Sequence, residues 1–169
     1  MIVDLASVPG SASYDFRFPA EEIDLETPGI SLKGDVHVRC KIVRHIVETD
    51  VTGAIETEAE IDCKRCLQPV SQKLEIPFDV NFVAPEVFSS DSELELNETD
   101  LGLDVFEGEQ IDLKELAREQ ILLNLPEQVL CRPDCKGLCE RCGANRNFED
   151  CRCGDEDIDP RWAALKDLK

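Results

Sequence analysis

Apolar and polar residues alternate one for one through most of residues 33–82. In the first run, Val36, Val38, Cys40 and Ile42 would share one face of a strand, and polar side chains stand between them. A period of two is typical of a β-strand that is buried on one side only. The pattern therefore predicts a half-buried strand here.

Two more runs with the same period follow. Residues 55–61 place apolar or small side chains against three glutamates, and residues 74–82 place them against charged residues and Asn81. Turn-forming residues at positions 49–53 separate the first two runs, and a C-x-x-C motif at residues 63–66 separates the second from the third. We expect an antiparallel meander with this motif at a hairpin tip. Pro77 favours an edge position for the third strand.

The period changes to that of a helix after Asp112. Apolar residues recur at helical spacing until Pro126, and residues 112–115 have the spacing of a capping box. This predicts a helix over residues 113–125 that covers the apolar face of the sheet. A second, short helix is predicted to begin at Asp159 as N-cap, with Pro160 as its first helical residue.

Together these elements predict an α+β fold, in which an antiparallel β-meander is covered by a helix and followed by a small C-terminal cysteine-rich zinc module and a short terminal helix. We expect a mainly β domain over residues 1–88, an acidic loop or linker over 89–110, the helix over 111–127 and the cysteine-rich module over 128–169. The acidic stretch has eight carboxylates and no basic residue. It is interpreted as a solvated loop, the alternative being a docking strip for a basic partner.

The net charge limits the classes of partner. The 169 residues include 37 acidic and 18 basic side chains, for a formal charge of -19. Such a charge repels phosphate backbones at long range, which disfavours a simple basic clamp on nucleic acid. The sequence has neither an apolar run long enough to span a membrane nor a basic segment leading into one, so we expect a cytoplasmic protein without a membrane partner.

The chain has nine cysteines. In a protein expected to be cytoplasmic, and therefore in a reducing compartment, they indicate metal ligands more than disulfides. Six of them fall within 23 residues: Cys131, Cys135, Cys139, Cys142, Cys151 and Cys153. A tetrahedral structural zinc site needs four. We expect Cys139 and Cys142, with a partner from Cys151 and Cys153 and a fourth sulfur from Cys131 or Cys135. The remaining sulfurs would be spare, or two ions would share ligands.

Zinc would fold a segment that has few apolar residues of its own. Glycine at position 143 would relieve crowding where the backbone turns its amides toward sulfur. Cys63 and Cys66 leave three interpretations open: a second half-site, a contribution to the same zinc, or a dithiol that can oxidise.

The basic residues with the best placement for RNA or partner contacts lie in the first strand and around the cysteines: Arg39, Lys41, Arg65, Arg141 and Arg146. For Arg39 and Lys41 we favour the alternative that they pair across the hairpin with Glu56, Glu58 or Glu60. No phosphate-binding loop, catalytic triad or H-E-x-x-H motif occurs, so we expect neither an enzyme nor a small-molecule substrate.

Two stretches resemble the YceD family, the large ribosomal RNA subunit accumulation proteins. One is the C-x-R-C-L motif at residues 63–67. The other runs from Leu125-Pro126 through the six late cysteines, with Gly137, Gly143, Asn145 and Asn147 between them, to Asp159-Pro160-Arg161. The resemblance spans most of the chain after Val36.

The resemblance implies a non-enzymatic ribosome biogenesis factor that supports accumulation or processing of large-subunit (23S) ribosomal RNA. Its partner would be precursor rRNA or a basic large-subunit ribosomal protein. The acidity of the chain favours the basic ribosomal protein over the rRNA. Two rivals remain: a zinc-thiolate redox sensor, and a zinc-ribbon adaptor in transcription.

Overall fold

The computed structural model describes residues 1–46, 48–83, 103–105, 110–151, 153 and 161. Within them the chain forms eight strands and one α-helix, besides two short 3-10 helices. The strands are β1 (Ile2–Asp4), β2 (Ser11–Phe18), β3 (Ile30–Leu32), β4 (Val36–Arg44), β5 (Glu48–Asp62), β6 (Pro69–Val83), β7 (Leu103–Val105) and β8 (Gln110–Asp112), and the helix is α1 (Leu113–Leu123).

The larger sheet has the strand order β2-β4-β5-β6-β7, and β3 pairs with β5 beyond the end of β4. All its pairs are antiparallel except β6 with β7. Strands β5 and β6, 15 residues each, pair along their whole length from Glu48 opposite Val83 to Asp62 opposite Pro69. The meander β4-β5-β6 is thus confirmed, and the C-x-x-C motif lies at the tip of its long hairpin. The turn between β4 and β5 was misplaced, because residues 49–53 pair with β4 as part of β5, which begins at Glu48.

The core lies on the face that the alternation predicts. Val36, Val38 and Ile42 of β4 are buried, and so are Val51 and Ile55 of β5. Helix α1 covers this face with four buried residues: Leu113, Leu116, Ala117 and Ile121. Each large aliphatic side chain buried here contributes about 1.5–3 kcal/mol relative to exposure, so burial of apolar side chains stabilises the packing of the helix on the sheet.

Helix α1 begins where the capping pattern places it and ends earlier than predicted. The Asp112 carboxylate accepts a hydrogen bond from the Lys114 N–H at 2.9 Å. At the other end, the helix stops at Leu123 instead of residue 125 because Asn124 caps it. Both the backbone N–H and the side-chain amide of Asn124 donate to the Gln120 carbonyl, at 3.2 and 2.9 Å.

The N-terminal strands are absent from the pattern-based assignment, which places no strand before residue 33. Ala12, Tyr14, Phe16 and Phe18 alternate along β2 and turn toward the core, and the rings of Tyr14 and Phe16 stack at 5.9 Å. Strand β2 therefore extends the sheet outward from β4. The period of two is present in the sequence of β2, so the strand could have been predicted from the same pattern as β4.

Pro77 lies opposite Ala54, where no described strand pairs with the other side of β6. The edge prediction therefore holds at Pro77. It fails at the end of the strand, where Asn81, Phe82 and Val83 pair with β7. Proline is tolerated upstream because its missing N–H faces away from β5.

The acidic stretch over residues 89–110 lies largely outside the described residues. Its described part corrects the loop prediction locally, since residues 103–105 form β7 and Gln110 begins β8. The predicted helix after Asp159 also lies outside the described residues. Across the described ranges, no helix combines the length and the apolar character that crossing a bilayer requires.

Candidate metal centres

Eight of the nine cysteines lie in two groups of four. We call Cys63, Cys66, Cys131 and Cys135 the hairpin group, and Cys139, Cys142, Cys151 and Cys153 the C-terminal group. Within each group all four Sγ atoms lie within 4.8 Å of one another. Each group therefore has four sulfurs that one metal ion could contact.

The first half of the hairpin group is built by the tip of the β5–β6 hairpin. The Cys63 N–H donates to the Gln68 carbonyl at 2.8 Å, and the Leu67 N–H donates to the Cys63 carbonyl at 2.9 Å. Leu67 adopts a left-handed backbone with φ 58°. These bonds close a tight turn in which Cys63 and Cys66 are both buried.

The second half of the hairpin group is brought to this tip by backbone pairing. The Lys64 N–H donates to the Val129 carbonyl at 2.9 Å, and the Leu138 N–H donates to the Arg65 carbonyl at 3.0 Å. The Arg65 guanidinium also donates to the Cys135 carbonyl at 2.9 Å. The segment carrying Cys131 and Cys135 is thus held across the tip at both ends.

The sulfur distances suit a tetrahedral metal. The Sγ atoms of Cys63 and Cys135 are 3.8 Å apart, and those of Cys66 and Cys131 are 3.6 Å apart. Four sulfurs at the zinc–sulfur bond length would be about 3.8 Å apart. Neither group includes a histidine or a carboxylate. Such all-thiolate sets close the coordination sphere and are typical of structural zinc.

The C-terminal group begins with the same turn. The Cys139 N–H donates to the Ala144 carbonyl at 2.8 Å, and the Gly143 N–H donates to the Cys139 carbonyl at 2.8 Å. Gly143 has φ 73°, the left-handed conformation that glycine adopts without strain. Cys151 and Cys153 approach from a second loop. Cys142 is exposed, and this group is more open to solvent than the hairpin group.

Hydrogen bonds lower the pKa of two thiols in the hairpin group, Cys63 and Cys135, and of Cys139 in the C-terminal group. Burial disfavours the charged form of Cys63, but N–H groups of Cys131, Arg65 and Cys66 outweigh it and lower the pKa to about 6. N–H groups of Cys142 and Arg141 likewise lower the pKa of Cys139 to about 6.

Other sulfurs in the same groups have a raised pKa. Burial, followed by the neighbouring sulfurs, raises the pKa of Cys131 to about 12. The Cys142 sulfur, followed by burial, raises the pKa of Cys153 to about 11. Four sulfurs this close repel one another as thiolates, so full ionisation of either group requires a cation.

The structure divides the sulfurs differently from the single site expected from sequence. Cys139 and Cys142 do meet Cys151 and Cys153, but both of the latter join them and no sulfur comes from Cys131 or Cys135. Those two pair with Cys63 and Cys66, so the second-half-site interpretation of the C-x-x-C motif is the one that matches the geometry. The reason is the reach of the hairpin, which brings its tip to a segment distant in sequence.

Asn147 links the two groups, and the sequence analysis did not assign it a role. Its side-chain amide donates to the Cys135 sulfur at 3.3 Å, and its side-chain oxygen accepts from the Lys136 N–H at 2.8 Å. In sequence, Asn147 lies between Cys142 and Cys151, in the loop that joins the two halves of the C-terminal group. Its place among the residues shared with the YceD motif was the available signal.

The predicted basic contacts do not form one patch. Arg39 pairs across the hairpin with Glu56, as we expected in preference to an RNA contact. Lys41 is exposed opposite Ser13 and Thr52. Arg39 lies opposite Ala54, eight residues before the hairpin tip, or about 26 Å along a strand. Arg65 binds the Cys135 carbonyl at that tip. Arg141 and Arg146 are exposed and lie in sequence between the cysteines of the C-terminal group.

The profile of one protein family, described as large ribosomal RNA subunit accumulation protein YceD, matches residues 51–169. This match includes strands β5 and β6, helix α1 and both cysteine groups. The chain belongs to the YceD family. The resemblance seen in the two motifs is thereby confirmed.

Several curated proteins are similar to this chain over about half of their own length. An uncharacterized protein of Mycobacterium tuberculosis is 35% identical over 118 residues, which cover 70% of this chain and 54% of that protein. The chloroplastic large ribosomal RNA subunit accumulation protein YCED homolog 1 of Arabidopsis thaliana is 25% identical over 157 residues, covering 79% and 48%. Its Zea mays counterpart is 24% identical, covering 76% and 52%.

The chain spans about half the length of the curated relatives it matches. No solved structure matches it.

Proposed function

We propose that this chain is a non-enzymatic ribosome biogenesis factor that supports the accumulation of large-subunit ribosomal RNA. The observation that carries the proposal is the YceD match over residues 51–169, which contains the hairpin tip and all eight grouped cysteines. The family description and the names of the plant relatives both refer to large ribosomal RNA subunit accumulation.

In this proposal one zinc ion binds each group. Zinc suits four thiolates at these separations, and it has no redox chemistry of its own. Bound zinc would offset part of the thiolate charge and cross-link the segments that carry the cysteines. A closed set of four sulfurs leaves no open position for substrate, so the proposed role of the metal is structural.

We propose a basic large-subunit ribosomal protein as the direct partner. The formal charge of -19 opposes contact with a phosphate backbone, and each zinc with four thiolates would add about two negative charges. The basic residues are separated, with Arg39 paired to Glu56 and Arg65 donating to the Cys135 carbonyl. Charge complementarity with a basic protein is the simpler arrangement.

Depletion of the protein tests the function. We expect large-subunit rRNA to fall relative to small-subunit rRNA, with recovery on expression of the wild-type chain. Cys135→Ser should fail to restore the ratio. Cys40→Ala, which changes the cysteine outside both groups, should restore it and serves as the matched control. Equal amounts of both rRNAs after depletion would contradict the proposal.

Affinity purification from lysate tests the partner. With a basic ribosomal protein as partner, the complex should survive ribonuclease and dissociate as salt is raised. Direct binding to rRNA instead requires that nuclease treatment remove the co-purifying material. RNA polymerase in the eluate would favour the transcription adaptor.

A second candidate function is a thiol-based redox sensor, favoured by the exposure of Cys142 in the C-terminal group. Two thiolates would be oxidised to a disulfide by hydrogen peroxide, which takes up two protons from solvent and is reduced to two waters. The zinc, which loses two ligands, would then be released. Zinc release at low peroxide doses, together with altered partner binding, would support this function. Release only at doses that oxidise exposed thiols in general would argue against it.

A further inference from the structure

The loop between the two halves of the C-terminal group folds back onto the hairpin group. The Arg146 N–H donates to the Gly137 carbonyl at 3.0 Å, and Leu138 forms a β-bridge with Asn145. Leu138 in turn donates to the Arg65 carbonyl at the hairpin tip. One short stretch therefore has the hairpin on one side and the C-terminal loop on the other.

Asn147 lies at the end of this contact and makes the only bond described between the C-terminal loop and a hairpin-group sulfur. Its amide donates to the Cys135 sulfur at 3.3 Å and to the Asn145 side-chain oxygen at 2.8 Å. Asn145 also accepts from the Asn147 backbone N–H at 3.0 Å. The amide is therefore oriented toward the sulfur by a second residue of the same loop.

Gly137 makes the close packing possible. It has φ 73°, and a Cβ at this position would lie 3.0 Å from the Arg65 carbonyl oxygen. The backbone between Cys135 and Cys139 thus packs closely against the tip, and only three residues separate a ligand of one group from a ligand of the other.

We propose that Asn147 is a positioning residue for the metal of the hairpin group, and that it couples the two groups so that metal in the C-terminal group strengthens metal binding in the hairpin group. A metal held by Cys139, Cys142, Cys151 and Cys153 fixes both ends of the loop that carries Asn147. A fixed loop holds the amide on the Cys135 sulfur, stabilising its thiolate form and its orientation. Without that metal, the amide is free to leave the sulfur.

This inference rests on the metal binding proposed above. Because linkage is reciprocal, metal in the hairpin group strengthens binding in the C-terminal group by the same factor. Removal of an outer hydrogen bond to a metal ligand typically weakens metal affinity about 10- to 100-fold, and we expect an effect in that range.

The experiment measures metal content and hairpin-group affinity of the full chain by chelator competition with zinc. Wild type should hold two zinc ions. Asn147→Ala should also hold two, with hairpin-group affinity about 10- to 100-fold lower. Cys142→Ser should hold one, with a similar loss in the remaining hairpin group.

The double variant decides whether Asn147 is the link. If the coupling acts through this side chain, Asn147→Ala combined with Cys142→Ser should lose no more hairpin-group affinity than Asn147→Ala alone. Additive losses would overturn the proposal, as would wild-type affinity in Asn147→Ala.

Two further variants separate this role from a general structural one. Asn147→Asp keeps an acceptor for the Lys136 N–H and removes the donor to sulfur, so we expect it to lose hairpin-group affinity as Asn147→Ala does. Asn124→Ala, at the end of α1, is the matched control and should leave both affinities unchanged. Wild-type zinc affinity of the hairpin group in Asn147→Asp would contradict the proposal.

Cadmium-113 NMR supplies a readout that mere destabilisation would not change. Each cadmium-loaded group should give its own resonance, and Cys142→Ser assigns the two by removing one. Asn147→Ala should shift the hairpin-group resonance and leave the other in place. A chain that binds no metal would overturn both the proposed zinc binding and the coupling. Two bound metals with no effect of Asn147→Ala would overturn the coupling alone.

Discussion

The two cysteine groups contain the same kind of turn and each has four cysteine ligands, yet their surroundings differ. The hairpin group joins residues 65 apart in sequence, Cys66 and Cys131, and three of its four cysteines are buried. The C-terminal group gathers cysteines from within 15 residues, and its Cys142 is exposed. The hairpin group therefore attaches a distant segment to the sheet, whereas the C-terminal group folds a local one.

This difference gives the two proposed metals different effects. Cross-linking distant residues removes more conformational freedom from the unfolded chain than closing a short loop does. Loss of the hairpin-group metal should release the C-terminal segment from the sheet. Loss of the C-terminal metal should loosen only the local loop and weaken its neighbour.

The largest expected effect comes from Cys135→Ser, which removes a buried hairpin-group ligand. Since binding of structural zinc can account for about 10 kcal/mol of local folding free energy, the segment after residue 129 should become sensitive to protease. Limited proteolysis with mass spectrometry checks this. The matched Cys40→Ala should stay resistant, and equal resistance in Cys135→Ser would remove the distinction between the groups.

Metal removal by a strong chelator should proceed in two steps. The exposed C-terminal group should release its ion first and the buried hairpin group later, because the chelator must reach the sulfurs. The sheet should persist after both steps, since its core is apolar and independent of the metals. Stopped-flow release and far-UV circular dichroism measure the two events. Simultaneous unfolding of the sheet would show that the core depends on the metals.

A substitution within the sheet should change stability without changing metal content. A Cβ at Gly53 would lie 2.8 Å from the Cys40 Cα, so Gly53→Ala should cost about 1–3 kcal/mol through overpacking. Gly34→Ala is the matched control, because its nearest contact would be an ordinary 3.5 Å. Thermal unfolding and zinc analysis test both. Loss of zinc from folded Gly53→Ala would show that the hairpin group depends on strain elsewhere in the sheet.

The smallest effects should come from the two equivalent turn positions. Leu67 has φ 58° and Gly143 has φ 73°, in the region that costs non-glycine residues about 1–2 kcal/mol. Gly143→Ala should therefore destabilise by about 1 kcal/mol. Leu67→Gly should be neutral or stabilise by up to about 1 kcal/mol, because relief of strain is partly offset by the freedom of glycine in the unfolded chain. Effects of equal sign would show that the two turns are not equivalent.

Local pattern was sufficient for the elements whose period is strong. Strands β4, β5 and β6 and the start of α1 follow from it, because each buries one face and polar side chains occupy the other. The turn at residues 139–143 was also accessible, since glycine directly after the second cysteine indicates a left-handed residue. Strand β2 was accessible in principle from Ala12, Tyr14, Phe16 and Phe18.

The sequence by itself determined the period of each element, the chemistry of the cysteines and the charge that disfavours phosphate partners. Only the tertiary structure decided which cysteines form each group of four. It also showed that Asn147, from the loop of the C-terminal group, donates a hydrogen bond to Cys135 of the hairpin group. The physical reason is that spacing constrains ligands only over a few residues. The meeting of residues 63–66 with 131–135 depends instead on a hairpin with two 15-residue strands and on the backbone pairing that carries the later segment to its tip.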